Sequence, residues 1–287
     1  MKKFISVLLA VLLVGFSFTA CSGGKNDETT AATSAAESSI KTIKSGTLMV
    51  GMEVGYPPME YTDTDGVTYI GFDVDMAQKI ADILGLKLEI VNTAWDGIFA
   101  ALEKGEFDMI MSAVSITPER QQKYILTAPY ISNRIVLAVP KDSTSSITSL
   151  NDLNGKKIAL QNATTADDYA KKVLAKGDIS FEVNRYEKVT QCYDDLKLGR
   201  VDAILVDEVV AASYTDTSKI VWRNDEGEPM GICLKKGNDD LAALVEKAVD
   251  TLYFDGTVSS IATKYFGSDV TKGVRTVTEK PVIDLNK

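Results

Sequence analysis

From Thr47 onward the chain alternates short β-branched or apolar runs with amphipathic stretches of helical spacing, and this alternation limits the fold more than any other feature. Residues 47–50, 87–91, 107–113, 135–139, 157–160, 201–206 and 231–234 read as strands. Between them, residues 74–84, 95–103, 166–174, 189–198 and 240–252 carry apolar side chains at helical spacing. Gly85, Gly105, Gly177, Gly199 and Gly256 follow these helices, where a left-handed residue closes the last turn. The order predicts an α/β protein with largely parallel sheets. It breaks twice. Around residues 129–133 one βα series ends in a short aromatic segment and a second begins at Ile135. Around residues 228–231 the chain turns back into a strand and closing helices. Two crossings between two α/β lobes produce this order, with the C-terminal helices completing the first lobe.

Ahead of the folded region, Lys2 and Lys3 precede an apolar run from Ile5 to about Phe18. The run is too short to span a bilayer as a helix and has the layout of a secretory signal. It ends in Phe18, Thr19, Ala20 and Cys21, with a polar stretch beyond, and so resembles a bacterial lipoprotein processing site. The resemblance implies a signal peptide over residues 1–20 and lipidation of Cys21; an ordinary signal cleaved near Ala20 is the alternative. Both readings make the protein exported. Residues 21–43 are dominated by small, polar and charged side chains that cannot repay the entropy of ordering, and they read as a flexible tether.

Composition removes several functions. The sequence has no histidine, which excludes Ser-His-Asp and Cys-His nucleophiles, imidazole acid–base catalysis and His-ligated metals. A formal charge of -9 argues against a nucleic-acid partner. Cys192 and Cys233 lie in separate segments, and sequence leaves open whether they pair.

In open α/β sheets ligands bind beyond the carboxyl ends of the strands, so the residues that follow each strand carry the functional expectation. After the first strand come Glu53, Tyr56 and a stiff Pro57-Pro58 segment. After the third come Ser115, Thr117, Pro118 and Arg120. Thr117 is a natural N-cap and Pro118 a natural first helical residue, so Arg120 falls in the first turn of a helix, where a guanidinium is well placed to hold a carboxylate by two parallel bonds. A surface arginine beside a capped helix is the other reading. Gln161, Thr164 and Thr165 offer polar donors at the head of another helix. Asp207 ends a strand, where it can pair an ammonium group or cap the next helix. Trp95 heads a helix and can stack on a ligand or fill the core.

These pieces resemble the substrate-binding proteins of polar amino-acid ABC transporters, solute-binding protein family 3, over about residues 44–268. The resemblance rests on Gly55-Tyr56-Pro57-Pro58, Gly71-Phe72-Asp73-Val74-Asp75, Trp95-Asp96-Gly97-Ile98, Ser115 to Arg120 followed by Ala128-Pro129-Tyr130, and Gly199-Arg200-Val201-Asp202-Ala203 leading to Asp207. It implies a two-lobed periplasmic-binding-protein-like fold of type II. Lobe 1 would be residues 44–132 and 230–272, lobe 2 residues 133–229, and residues 273–287 a C-terminal tail. By the same resemblance Arg120 grips an α-carboxylate, Asp207 an α-ammonium, and Ser115 and Thr165 add hydrogen bonds. Tyr56 and Trp95 sandwich the side chain, Ser112 and Ala113 line the same wall, and Gln161 and Thr164 close from lobe 2. The position before Thr164, often Gly in the family, is Ala163.

Glu53 matches a position facing the ligand side chain, and an acid there favours arginine or lysine, with glutamine or cystine the alternatives. The implied partners are a free L-amino acid, an ABC permease with its cytoplasmic ATPase, and the outer face of the cell membrane through the N-terminal lipid. No cofactor or metal is expected, and the protein is expected to be a monomer. The competing classes are an exported dehydratase-like enzyme of the same fold, for which Glu53 and Asp207 would serve as acid and base, and a receptor that senses its ligand.

Overall fold

The computed structural model describes residues 40–285. The expected signal peptide, Cys21 and the tether up to residue 39 lie outside the described residues.

The first pass of the chain builds β1 (Thr47–Met52), β2 (Tyr61–Thr62), β3 (Tyr69–Ile70), α1 (Phe72–Leu84), β4 (Lys87–Asn92), α2 (Trp95–Lys104), β5 (Met109–Ile110), α3 (Pro118–Lys123) and β6 (Tyr124–Leu126). A second series follows: β7 (Ile135–Pro140), β8 (Lys157–Gln161), α4 (Thr165–Lys176), β9 (Glu182–Tyr186), α5 (Val189–Lys197), β10 (Ala203–Asp207), α6 (Glu208–Ala211) and β11 (Ser218–Arg223). The chain then returns through β12 (Cys233–Lys235), α7 (Asp239–Phe254) and α8 (Thr257–Phe266). Two five-stranded sheets result, in the orders β4-β1-β5-β12-β6 and β11-β7-β10-β8-β9, beside the small β2-β3 hairpin.

The sheets are mixed rather than largely parallel. β1 runs parallel to β4 and β5, and β8 parallel to β9 and β10. β12 is antiparallel to β5 and β6, and β7 is antiparallel to β10 and β11. The strands that break the pattern are the two that follow the crossings. A strand entering a sheet straight from the other lobe needs no helical crossover, so nothing obliges it to run parallel to its neighbours.

Each sheet is covered on both faces because strand side chains alternate. In β1, Leu48, Val50 and Met52 pack into one core with Met76, Ile80, Leu84, Val245 and Val249 of α1 and α7. Met49 points the other way, against Ile98, Leu102, Phe107 and Ile110. In the second lobe Leu137, Ile158, Leu160 and Leu205 form a core with Ala166 and Ala170 of α4. Cys192 and Cys233 are buried free thiols. Three of the expected glycine caps close α1, α2 and α4. Gly199 instead follows the cap residue Leu198, and Gly256 follows Asp255 and begins α8.

The crossings lie side by side. Tyr130 N–H donates to the Met230 carbonyl at 2.9 Å, Met230 N–H to Ile131 at 3.0 Å, and Glu228 N–H to Asn133 at 2.7 Å. The segment after α8 packs back on the first crossing. Arg275 is half-buried there, donating to the carbonyls of Ala128 and Pro129 and pairing with Glu246 and Asp250 at 2.7 Å.

Candidate functional site

Glu53, Tyr56, Trp95, Ser112, Ala113, Ser115, Arg120, Gln161, Thr164, Thr165 and Asp207 line one cavity of about 290 Å³. The lobe 1 members follow the carboxyl ends of β1, β4 and β5; the lobe 2 members sit at the ends of β8 and β10.

Asp207 ends β10, and its side chain does not cap α6. Its carboxylate accepts instead from the Tyr56 hydroxyl of the other lobe at 2.6 Å and from the Asn133 amide at 2.8 Å. Asn133 is fixed in turn by accepting the Val209 N–H at 3.3 Å. Burial raises the Asp207 pKa above the usual carboxylate value, while the bonds from Tyr56 and Asn133 and the charge of Arg120 hold it down. The Tyr56 hydroxyl is pushed well above its ordinary value, by burial first and then by Asp207, so it stays a donor.

Arg120 is set by α3. Thr117 caps that helix by accepting the Arg120 N–H, and Pro118 opens it. The guanidinium donates to the Ser115 carbonyl at 2.9 Å and lies 5.4 Å from the Trp95 ring centroid and 5.0 Å from that of Phe99. Burial lowers its pKa from the ordinary value, but arginine remains a cation at any working pH. Arg120 is therefore held on aromatic faces at the cavity rather than carried loose on the surface. Trp95 lines the cavity and is also a core residue. It packs in the core with Ile98, Phe107 and Ile110, and its indole N–H reaches across to the Ala163 carbonyl at 3.0 Å. Ala163 takes a left-handed φ of 59°, the conformation a glycine would adopt more cheaply.

Glu53 is buried beyond the end of β1, and its carboxylate accepts from the Gln161 amide at 2.8 Å. Burial pushes its pKa up to about 7; Gln161 and Lys188 oppose the shift and Asp96 adds to it. Gln161 also donates to the Glu187 carbonyl at 2.9 Å. Thr164 caps α4 and donates to the Gln161 carbonyl at 2.8 Å, while the Ser115 and Thr165 hydroxyls face each other at 3.4 Å. Ser112 accepts the Glu53 N–H at 3.0 Å and donates to Glu60 at 2.5 Å. Ala113 has a φ of 48° and gives its N–H to Asp73 at 2.8 Å.

Sequence reasoning missed Asn133, Phe99 and Glu228. Asn133 and Glu228 are single polar residues in the two crossings, and no periodicity marks them. Glu228 is pushed up to about 7 by burial and by Asp207, while the Thr165 and Ser115 hydroxyls and Arg120 pull it back. Phe99 lies one helical turn beyond Trp95, a spacing that would have placed both rings on one face.

Two mixed α/β lobes joined by paired crossings, with one cavity walled by both, define a two-lobed solute-binding protein. The chain belongs to the bacterial extracellular solute-binding proteins, family 3, whose model matches residues 48–268. It is similar to the L-cystine-binding protein TcyJ of Escherichia coli, 34% identical over 236 residues that cover 81% of this chain and 87% of that one. Among solved structures it is similar to an ancestral arginine-binding protein bound to glutamine, 37% identical with a TM-score of 0.72 over 78% of this chain and 99% of that one. It is also similar to the ancestral amino acid-binding protein AncCDT-1, a precursor of cyclohexadienyl dehydratase, 36% identical with a TM-score of 0.71 over 77% and 95%.

Proposed function

We propose that this chain is the extracytoplasmic substrate-binding component of an amino-acid ABC importer, and that it binds a free α-amino acid with a cationic side chain. One observation carries the reading: a single cavity holds one guanidinium, Arg120, and two acids, Asp207 and Glu53. A zwitterion uses the guanidinium for its carboxylate and one acid for its ammonium group, which leaves the second acid for a charge further along the ligand. Arginine and lysine supply that charge. Ser115 and Thr165 add hydrogen bonds, Tyr56 and Trp95 flank the side chain, Ser112 and Ala113 form the lobe 1 wall, and Gln161 and Thr164 close from lobe 2.

Arg120 belongs to lobe 1 (residues 44–132 and 230–272) and Asp207 to lobe 2 (residues 133–229), so a ligand that satisfies both draws the lobes together about the crossings. The closed form is what the permease, with its cytoplasmic ATPase, would recognise. Lipidation at Cys21 would keep the protein at the outer face of the membrane. Cystine is a second reading, favoured by the name of one relative, since its second ammonium offers Glu53 the same partner. An exported dehydratase-like enzyme is a third, favoured by the likeness to AncCDT-1.

A thermal-shift panel of the free amino acids, on protein stripped of carried-over ligand, tests the proposal. At a ligand concentration a hundredfold above Kd, Tm should rise by about 5–10 °C for arginine or lysine, and by less for glutamine. A rise with cystine alone would replace the cationic reading by the second one. A flat panel would sink the amino-acid reading and direct the next assay to turnover.

A further inference from the structure

Directly behind the cavity wall lie two carboxyl groups that no ligand contact uses. Glu60 and Asp73 are both fully buried. They are brought together by Gly71, whose φ of 141° and lack of a side chain let the start of α1 dock on the segment before Glu60. A Cβ there would sit 2.1 Å from the Met59 carbonyl oxygen. The docking is sealed by Phe72 N–H to Pro58 at 2.9 Å and Asp73 N–H to Met59 at 2.8 Å.

Each carboxyl has one oxygen that accepts hydrogen bonds. Glu60 Oε1 accepts from Ser112, and Asp73 Oδ2 accepts from the Ala113 N–H and from the Tyr130 hydroxyl at 2.9 Å. The other two oxygens, Glu60 Oε2 and Asp73 Oδ1, are buried with no hydrogen-bond partner among the described residues. Among the described residues, the titratable groups that face the pair are Glu53 and Tyr56 from the loop after β1 and Tyr130 from the first crossing, and none of these is a cation. Two ionised carboxylates side by side in that surrounding would each carry an uncompensated charge, whereas one proton placed between them satisfies both orphaned oxygens.

We propose that Glu60 and Asp73 share a single proton between Glu60 Oε2 and Asp73 Oδ1, and that the resulting pair is the positioning element that fixes Ser112 and Ala113 in the wall of the ligand cavity. With the proton on Glu60, its second oxygen remains an acceptor, so the Ser112 hydroxyl must donate toward it and turns its lone pairs to the Glu53 N–H and the cavity. Asp73, ionised, holds the Ala113 N–H and so maintains a left-handed conformation that an alanine would otherwise leave. Burial and the neighbouring carboxylate both raise the Glu60 value well above its ordinary 4.5.

The sign of the pH effect follows. The unfolded chain releases this proton above pH 4.5 while the folded chain keeps it, so the pair's contribution to stability is complete below that pH and declines as pH rises toward the folded value. Glu60→Gln supplies a permanent amide hydrogen to Asp73 and keeps a carbonyl for Ser112; Asp73→Asn supplies the hydrogen from the other side. Denaturant unfolding of the protein and both variants, from pH 5 to pH 7, should show the wild-type folding equilibrium constant falling by about a hundredfold relative to either amide. Parallel profiles would overturn the proposal, as would the failure of both amides to fold, since each retains every hydrogen bond of a proton-sharing pair. This readout needs no ligand, so it stands or falls apart from the amino-acid reading above. The positioning role, which rests on that reading, is tested by calorimetry with arginine. Glu60→Ala should weaken binding by tenfold or more and Glu60→Gln should restore it, whereas equal losses in the two variants would show that the pair does not act through its hydrogen bonds.

Discussion

Glu53→Gln separates charge selection from shape. In the protein, Glu53 is buried, bonded to Gln161 at 2.8 Å, and raised to about 7. A guanidinium or ammonium group that reaches it makes a charge-assisted hydrogen bond, worth about 1–1.5 kcal/mol more than a neutral one. Removing the charge while keeping the shape should therefore weaken arginine by about 5- to 15-fold. Glutamine, which meets an amide as readily as a carboxyl, should change by no more than about threefold. The two ligands should also part with pH. A cationic ligand binds the ionised carboxylate, so in the wild type its affinity rises with pH toward about 7 and levels off above, losing up to about tenfold per pH unit below. Asp207 and Glu228 are raised as well and titrate in both proteins, so the informative quantity is the difference between wild type and variant. Isothermal titration calorimetry with arginine and glutamine between pH 5.5 and 8.5 measures it. Equal loss of both ligands, or a wild-type ratio of the two affinities that stays constant with pH, would refute the assignment.

Arg120→Ala removes the only cation among the described residues that line the cavity and should weaken every amino-acid ligand alike, by about 2–4 kcal/mol; unchanged affinity in calorimetry would refute the carboxylate clamp. Gly71→Ala places a Cβ 2.1 Å from the Met59 carbonyl oxygen in a backbone region closed to L residues, and should lower Tm by about 5 °C or more, while a Tm equal to wild type would show that the docking of α1 is not tight.

The parts of the fold that were legible are those whose local chemistry is self-sufficient. Thr117 and Pro118 announce a helix by their own capping preferences, and α3 begins at Pro118 with Thr117 as its cap. The central strands β1, β8 and β10 are apolar enough to mark themselves. What stayed hidden is what depends on distant chain. β9 and β11 are edge strands, and in β9 the adjacent polar residues Asn184 and Arg185 break the alternation begun by Glu182 and Val183, which leaves little pattern to read. The apolar run of residues 107–113 reads as one strand, yet only Met109–Ile110 pairs. Ser112 and Ala113 are drawn out of the ladder by Glu60 and Asp73, acids that a local reading assigns to a turn and a motif. The cavity was legible for a different reason. Its lining follows strand ends, where topology alone directs attention, whereas Asn133 and Glu228 acquire their places only when the return crossing lies against the outgoing one.

The position of β12 has a consequence for the order in which the molecule can assemble. Lobe 2's sheet is continuous in the chain from β7 to β11, so it can be completed as soon as Arg223 is available. The first sheet cannot. β12 fills a slot in its interior, between β5 and β6, and pairs Cys233 and Leu234 with Ile110 and Met109. Until that segment arrives, β5 and β6 expose unpaired edges and the apolar faces that α7 and α8 later cover. The half of the protein made first is thus the half finished last. A nascent chain carries a complete second lobe beside an unfinished first one, and the walls of the cavity meet only after the final helices are in place.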